Sequence, residues 1–287
     1  MSVDYEVEYN NRTRVPEHAE IFARWQREGA AYRASVHNAK LGLSYGPSMR
    51  RTIDLFPARH DDQAPLAMFI HGGYWRSLDP SLFSHVARGL NARGVSVAVV
   101  GYDLCPHVTI AEIIEQIRHA CLFLWLRTGQ RMMIYGHSAG GHLAGAMVAT
   151  DWQARYPKAP PDLVPAAYSI SGLFDLTPLV GIPMAQDLRL DEAEARRVSP
   201  LFWPAPKGRT FDAVAGALES SEFLRQSRTV AEQWGKAGVQ TRYEAIAGTN
   251  HFTVIDGLAD PQNAMVARLA ELASRPEMTA ASAKRGS

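Results

Sequence analysis

The sequence predicts an α/β protein whose central, mostly parallel sheet is covered by helices on both faces. The chain alternates short apolar segments of strand length with longer segments of helical periodicity, and this alternation is typical of such sheets. Its 287 residues, 46% of them hydrophobic, are enough for one large core. Because no linker or internal repeat divides the chain, we expect a single domain over residues 1–287.

The elements can be predicted in order along the chain. Residues 1–45 are expected to form a helical extension, because apolar side chains between residues 15 and 37 recur near helical spacing. Strands are predicted at 51–56, 66–71, 95–102, 132–135, 166–171, 211–217 and 241–246. Helices are predicted at 81–93, 110–127, 139–151, 222–237 and 261–274. Residues 173–207 contain five prolines, which predicts an irregular insertion that forms part of a lid.

Composition narrows the class of protein. The formal net charge is +1, and the basic residues are scattered, so we expect no nucleic-acid partner. The polar N-terminus predicts no signal peptide, and no apolar run is long enough to span a membrane. Two cysteines, Cys105 and Cys121, are typical of a reducing compartment. These features predict a cytoplasmic enzyme or binding protein.

The segment 135–143, with the sequence YGHSAGGHL, is the strongest functional signal. It contains Gly-x-Ser-x-Gly at Gly136, Ser138 and Gly140, between an apolar strand and a helix of small residues. In a sharp strand-to-helix turn the serine hydroxyl is held clear of the sheet, and side chains at the two glycine positions would collide with neighbouring elements. We therefore predict that Ser138 is a nucleophile, with the N–H of Ala139 close to it.

A second glycine motif, HGGYW at 71–75, begins at the end of the predicted strand 66–71. Glycines at this position let backbone N–H groups face a developing negative charge without side chains in the way. The expected oxyanion donors are Gly72 or Gly73 together with Ala139. The aromatic side chains of Tyr74 and Trp75, which follow the glycines, are candidate walls of a small acyl pocket.

The base and the acid should follow the last two strands, in the order acid then histidine. Among ten histidines, His251 is the one in the loop after strand 241–246. Glu219 lies just past the carboxyl end of strand 211–217, where functional loops gather. Asp212 is at the other end of that strand, and Glu222 belongs to the first turn of the next helix. We therefore predict the triad Ser138, Glu219 and His251.

Two further expectations concern the rest of the site. Phe252, which follows the predicted base, is a third aromatic candidate for binding substrate. The sequence has neither a His-Glu-x-x-His motif nor paired cysteine spacing, so we expect no metal and no cofactor. The expected partner is a small aromatic amide or ester that serves as substrate, and we expect no association with a membrane. The sequence does not decide whether the protein forms a homodimer.

These motifs together resemble a known family. HGGYW at 71–75, GHSAGG at 136–141, ESSEF at 219–223 and NHF at 250–252 are similar to segments of the α/β-hydrolase-type kynurenine formamidases, or arylformamidases, within the hormone-sensitive-lipase-like esterases. The likeness extends from about residue 40 to 255. One difference is Glu219, where the animal enzymes carry aspartate.

The resemblance implies an α/β-hydrolase fold and a metal-independent serine hydrolase that converts N-formyl-L-kynurenine to L-kynurenine and formate. A carboxylesterase, or an amidase for another small aromatic substrate, is the first alternative. A non-catalytic binding protein on the same scaffold is the second, because a fold does not determine a function. The presence of all three candidate triad residues favours the hydrolase.

Overall fold

The computed structural model describes residues 3–58 and 64–275, and an eight-stranded sheet lies at its centre. The strands are β1 (Lys40–Ser44), β2 (Thr52–Phe56), β3 (Leu66–Ile70), β4 (Ser96–Val100), β5 (Met133–His137), β6 (Ala166–Ile170), β7 (Thr210–Gly216) and β8 (Gln240–Ile246). Their order is β1-β2-β4-β3-β5-β6-β7-β8. The β1–β2 and β2–β4 pairs are antiparallel and the others parallel. The predicted fold class is confirmed.

Helices connect the strands and cover both faces of the sheet. They are α1 (Tyr5–Tyr9), α2 (Asn11–Arg14), α3 (His18–Ser35), α4 (Ala87–Ala92), α5 (Ile110–Thr128), α6 (Ala139–Val148), α7 (Trp152–Arg155), α8 (Glu192–Arg197), α9 (Ser221–Lys236) and α10 (Ala264–Ala273). The ends of α5 show why the helices begin and end where they do. Thr109 and Glu112 form a reciprocal capping box at its start, and Gly129 takes a left-handed conformation after its last turn.

The core has two layers, one on each face of the sheet. Along β3, Met68 and Ile70 belong to a cluster that also contains side chains of α5, α6 and α9, whereas Ala67 and Phe69 belong to a cluster with α3, α4 and α10. This alternation follows from the two-residue period of a strand. Because both faces are covered, every residue of β3 is buried, as expected for a strand in a parallel sheet.

Two regions differ from the predicted elements. Residues 40–44 form the edge strand β1 within the segment predicted as a helical extension. Its residues are mostly exposed, and Gly42, between Leu41 and Leu43, has a positive φ of 67° at an irregular register. The strand is therefore short, interrupted and not part of the buried core. The predicted helix 81–93 consists instead of a 3₁₀ segment, Pro80–Val86, followed by α4.

The proline-rich segment 173–207 is irregular, as predicted. It forms the 3₁₀ turns Thr177–Leu179, Pro183–Leu188 and Pro200–Phe202 together with α8. Leu176, Leu179 and Leu188 are buried in the same core layer as α5 and α6. This segment therefore packs against the body of the protein along much of its length. Within residues 3–58 and 64–275, no helix combines the length and the apolar character needed to cross a membrane.

Candidate active site

Ser138 lies at the turn between β5 and α6 in a strained conformation. Its φ is 57° and its ψ is −118°, a region that residues other than glycine rarely adopt. The two glycines of the motif allow this turn. A Cβ at Gly136 would lie 2.2 Å from the carbonyl oxygen of Gly140, and a Cβ at Gly140 would lie 1.9 Å from that of Ile70. Ser138 itself is 2% exposed and lines a cavity.

The structure brings His251 and Glu219 into direct contact. His251 Nδ1 lies 2.7 Å from Glu219 Oε2, and both side chains are almost completely buried. The second carboxylate oxygen accepts hydrogen bonds from the Gly216 N–H at 2.6 Å and from the Ser171 hydroxyl. These donors fix the carboxylate, which orients the imidazole with Nδ1–H towards it and leaves Nε2 free to accept a proton. His251 lines the same cavity as Ser138.

Ser171 is a residue that the sequence prediction missed. It follows β6 directly, has a positive φ of 55°, and is anchored through its N–H to the carbonyl of Val214. The sequence signal that could have identified Ser171 is its position as a polar residue at the carboxyl end of a strand. However, the contact with Glu219 depends on how β6 and β7 are paired, which the sequence pattern does not specify.

His137 supports the loop that carries His251. Its Nε2 lies 2.7 Å from the carbonyl oxygen of His251, and the two rings are 4.9 Å apart. Burial, and then the neighbouring His251, hold the pKa of His137 well below its usual value. His137 is therefore neutral, and its Nε2–H donates to the His251 carbonyl.

The two acids that were considered beside Glu219 have other partners. Glu222 accepts hydrogen bonds from Arg225 and from the Tyr9 hydroxyl. Burial raises the pKa of Glu222, but these bonds outweigh burial, so the pKa is lowered overall. Asp212 is buried in an ion pair with Arg268. Neither carboxylate is bonded to His251 in the described part of the chain.

The loop after β3 places Gly72 next to the nucleophile. A Cβ at Gly72 would lie 3.0 Å from Ser138 Cβ, and Gly73 has a φ of 108°, which favours glycine. Among the described residues, the N–H groups of Gly72, Gly73 and Ala139 have no hydrogen-bond acceptor in the surrounding loops and caps. Free N–H groups beside the serine are what an oxyanion would need.

His71 stabilises the loop that contains Gly72 and Gly73. Its Nδ1 lies 2.7 Å from the carbonyl oxygen of Gly72, and its ring stacks on Tyr102 at a centroid distance of 4.3 Å. The Tyr102 hydroxyl donates to the His71 carbonyl. Burial lowers the pKa of His71 to about 4, so the ring is a neutral structural group.

The three predicted aromatic residues have different positions. Tyr74 and Phe252 line the cavity. Trp75 does not belong to the lining. It is fully buried, and its ring packs edge-on against His142 at 5.0 Å. The positive φ of 54° at Trp75 directs the chain back into the core after the glycines, so its side chain supports the loop from inside the protein.

The N-terminal segment forms a large part of the cavity wall, which the sequence did not predict. We refer to residues 9–25 as the cover segment; its contributions are Asn10, Asn11, Arg12, Phe22 and Trp25. From the expected lid, 173–207, only Met184 reaches the cavity lining among the described residues. The helical periodicity of the N-terminus was visible in the sequence, but its position over the site depends on tertiary contacts.

Three of those contacts attach the cover segment to the site. The Tyr9 hydroxyl donates to Glu222 at 2.7 Å, and the Tyr74 hydroxyl donates to the Tyr9 carbonyl. Phe22 packs edge-to-face on Phe252 at 5.1 Å. The cover segment is thus bonded to the helix that follows Glu219, to the loop that follows β3 and to the residue after His251.

Comparison with known proteins places the chain in a family. A family model described as BD-FAE matches residues 53–165. The kynurenine formamidase of Salmo salar is 30% identical over 82% of each chain, and that of Drosophila melanogaster is 30% identical over 76% of each chain. A crystal structure from Silicibacter sp. TM1040, described as a "putative thioesterase", is 32% identical with a TM-score of 0.83 and covers 93% of this chain and 98% of that one.

These similarities extend over most of the chain, and the folds coincide. The family model's range of 53–165 contains the serine turn and the loop after β3. The resemblance inferred from the motifs is therefore confirmed: the chain belongs to the kynurenine formamidase family of α/β hydrolases.

Proposed function

We propose that this protein is a metal-independent serine hydrolase that cleaves aryl formamides, with N-formyl-L-kynurenine as its main substrate. The observation that supports this most directly is the buried contact between His251 and Glu219, beside a cavity that Ser138 also lines. The substrate class is supported by the similarity to kynurenine formamidases over about four-fifths of the chain.

In the first half of the proposed reaction, Ser138 Oγ attacks the formyl carbon while His251 Nε2 takes the hydroxyl proton. The carbonyl oxygen becomes negatively charged and accepts hydrogen bonds from Ala139 N–H and from Gly72 or Gly73 N–H. Glu219 stabilises the imidazolium. The C–N bond then breaks, the aryl amine leaves with the proton from His251, and a formyl ester remains on Ser138.

In the second half, a water molecule attacks the formyl ester. His251 takes a proton from the water, and the same N–H groups stabilise the second oxyanion. When the C–O bond to Ser138 breaks, His251 returns its proton to the serine oxygen and formic acid leaves, which ionises to formate in solution. The amine and formic acid together contain all the atoms of the amide and the water consumed.

The pocket walls support a small acyl group. Tyr74 has a positive φ of 50° and its hydroxyl is bonded to the backbone of the cover segment, so its ring is fixed on both sides. Phe252 is held between Phe22 and His251. A rigid wall of this kind would accept a formyl group, which has no side chain, and exclude longer acyl groups by steric overlap. Trp75 acts in this proposal only by supporting the loop.

The main alternative is a carboxylesterase or an amidase for another small aromatic substrate. The same serine, base and oxyanion donors would cleave an ester, and an alkoxide or phenoxide leaves more readily than an aniline. Ester hydrolysis by itself therefore does not distinguish the two. A binding protein without activity is disfavoured by the intact contact between His251 and Glu219.

A ranked panel of substrates tests the proposal. We expect N-formyl-L-kynurenine to have a higher kcat/KM than its N-acetyl and N-butyryl analogues, with a loss of roughly 10–200-fold per added methylene. p-Nitrophenyl esters run in parallel report the esterase activity, and a chelator should leave all rates unchanged. Hydrolysis of the butyryl ester without release of formate from N-formyl-L-kynurenine would favour the carboxylesterase, and loss of activity with chelator would refute a metal-free mechanism.

A further inference from the structure

The charged side chains that line the cavity are basic. Its lining includes two arginines, Arg12 and Arg76, whereas no aspartate or glutamate is part of it within the described residues. Arg76 is already paired with Asp187 at 2.9 Å. Arg12 forms no ion pair with any described residue, and its guanidinium lies 5.8 Å from the ring centre of Phe22. A cavity of this kind attracts an anionic ligand.

Asn11, which precedes Arg12, has a buried amide that lacks a partner. The residue is 5% exposed and lines the cavity, and no described residue accepts a hydrogen bond from its Nδ2. A buried donor without an acceptor is unfavourable, and such groups are rare in folded proteins. Because Asn11 also lines the cavity, a turn of its amide towards a ligand oxygen there would give this donor an acceptor.

The aromatic walls determine what else the ligand must carry. Phe22, Tyr74 and Phe252 line the cavity together with Asn11 and Arg12. Rings in this arrangement favour a flat aromatic group. The ligand that fits both features is an aromatic molecule with an anionic, hydrogen-bond-accepting substituent.

We infer that Asn11 and Arg12 bind a carboxylate carried by the leaving group of the substrate, so that the cover segment determines specificity for acidic aromatic substrates. This inference rests on the proposed function for the reaction and adds to it the residues that bind the carboxylate of the leaving group. Arg12 supplies the charge, and Asn11 Nδ2–H donates to a carboxylate oxygen. A charge-assisted bond of this kind is stronger than a bond between neutral groups.

The test compares two substrates that differ in one group. N-formyl-L-kynurenine carries the carboxylate, and its carboxamide replaces that group with a neutral one of similar size. For Arg12→Gln we expect KM to rise roughly tenfold for the acid and by less than about twofold for the carboxamide, with kcat unchanged for both. Arg14→Gln is the matched control, because Arg14 lies on the same helix and is exposed as Arg12 is, but is outside the cavity lining.

A second variant and a second substrate pair keep the test independent of folding and of the proposed reaction. Asn11→Asp, checked for an unchanged melting temperature, should disfavour the acid selectively by charge repulsion. The acetate esters of 4-hydroxybenzoate and 4-hydroxybenzamide repeat the comparison with an easily cleaved bond. If neither formamide reacts but Arg12→Gln still discriminates the two esters, the formamidase proposal fails while the carboxylate site stands. Equal effects of Arg12→Gln on acid and neutral substrate, or no effect on either, would overturn the inference.

Discussion

The two sides of the cavity are built differently. On one side, Ser138, His251 and Glu219 are positioned by strand ends and by short backbone loops, with polar groups that bond each other at 2.6–2.7 Å. On the other side, the cover segment is helical and contributes no strand. It is attached through the Tyr9 and Tyr74 hydroxyls, through an ion pair between Arg24 and Asp256, and through the buried side chains of Ile21 and Trp25. The strand-built side carries the proposed chemistry, and the helical side carries the proposed recognition of the leaving group.

This difference predicts which kinetic parameter substitutions on each side of the cavity should change. The strands of a parallel sheet are hydrogen-bonded along their whole length and covered by two core layers. Groups placed at the ends of these strands therefore keep a defined geometry. Side chains of the cover segment that face the cavity and make none of these attachments, such as Arg12, can change without disturbing that geometry. Variants of the strand-built side should therefore act on kcat, and variants of the cover segment should act on KM.

The largest effect is expected from removal of the nucleophile. Ser138→Ala should lower kcat by about 10⁴-fold or more, because no other group on this side can form the acyl-enzyme. The melting temperature should stay close to that of the wild type. Covalent labelling with an organofluorophosphonate, followed by peptide mapping, should identify Ser138. Label on another serine, with full activity in the alanine variant, would refute the assignment.

The next effect concerns the orienting acid. Glu219→Gln should lower kcat by about 10³–10⁴-fold, because an amide favours the wrong tautomer of His251. Glu222→Gln is the matched control, because it removes a buried carboxylate of the same type that is bonded to Arg225 and Tyr9 instead of to His251. We expect this variant to lower kcat by less than about tenfold. Both variants need comparable melting temperatures. A larger loss for Glu222→Gln would show that the acid lies three residues further along.

A smaller effect is expected from loosening the cover segment. Tyr9→Phe removes the hydroxyl that donates to Glu222 and accepts from Gln226. Losing a bond of about 1 kcal/mol should raise KM for the formamide about fivefold, with kcat changed by less than about twofold. Tyr5→Phe, on the same helix but partly exposed, is the control. A fall in kcat as large as the rise in KM would mean that the two sides are not separable.

The two sides should also differ in acid sensitivity. Burial lowers the pKa of His71 and His142 to about 4, and that of His137 well below its usual value. His137 ends β5, His71 follows β3, and His142 lies in α6, the helix that begins after Ser138, so none of the three belongs to the cover segment. Because their folded pKa values lie below 6.5, the unfolded chain binds protons that the folded protein cannot. Stability is therefore complete above pH 6.5 and decreases as the pH falls towards 4.

One substitution isolates this contribution. His142→Gln should reduce the fall in melting temperature between pH 7.5 and pH 5 by about 4 °C, because one buried group no longer titrates. The exposed His37→Gln is the control and should leave the pH dependence unchanged. The same slope in both variants would show that acid unfolding starts elsewhere in the molecule.

Much of the fold and of the candidate site could be predicted because it is encoded locally. Glycines at 136 and 140 are required by contacts of 2.2 and 1.9 Å that any Cβ would create, and apolar strands signal a buried sheet. The order of Glu219 and His251 after the last two strands follows from parallel topology, since carboxyl ends meet at one edge. Edge strand β1 escaped prediction because it is short, mostly exposed and interrupted by Gly42 at an irregular register.

By itself, the sequence determined the α/β class, the strained turn at Ser138 and the placement of Glu219 and His251 in the loops after the last two strands, because each depends on local backbone geometry and on strand order. Only the tertiary structure decided that Trp75 is buried behind its loop, that Ser171 holds Glu219, and that Asn11 and Arg12 line the cavity. The physical reason is that these positions depend on contacts between segments far apart in the chain. Tyr9 and Glu222, for example, are 213 residues apart yet share a buried hydrogen bond.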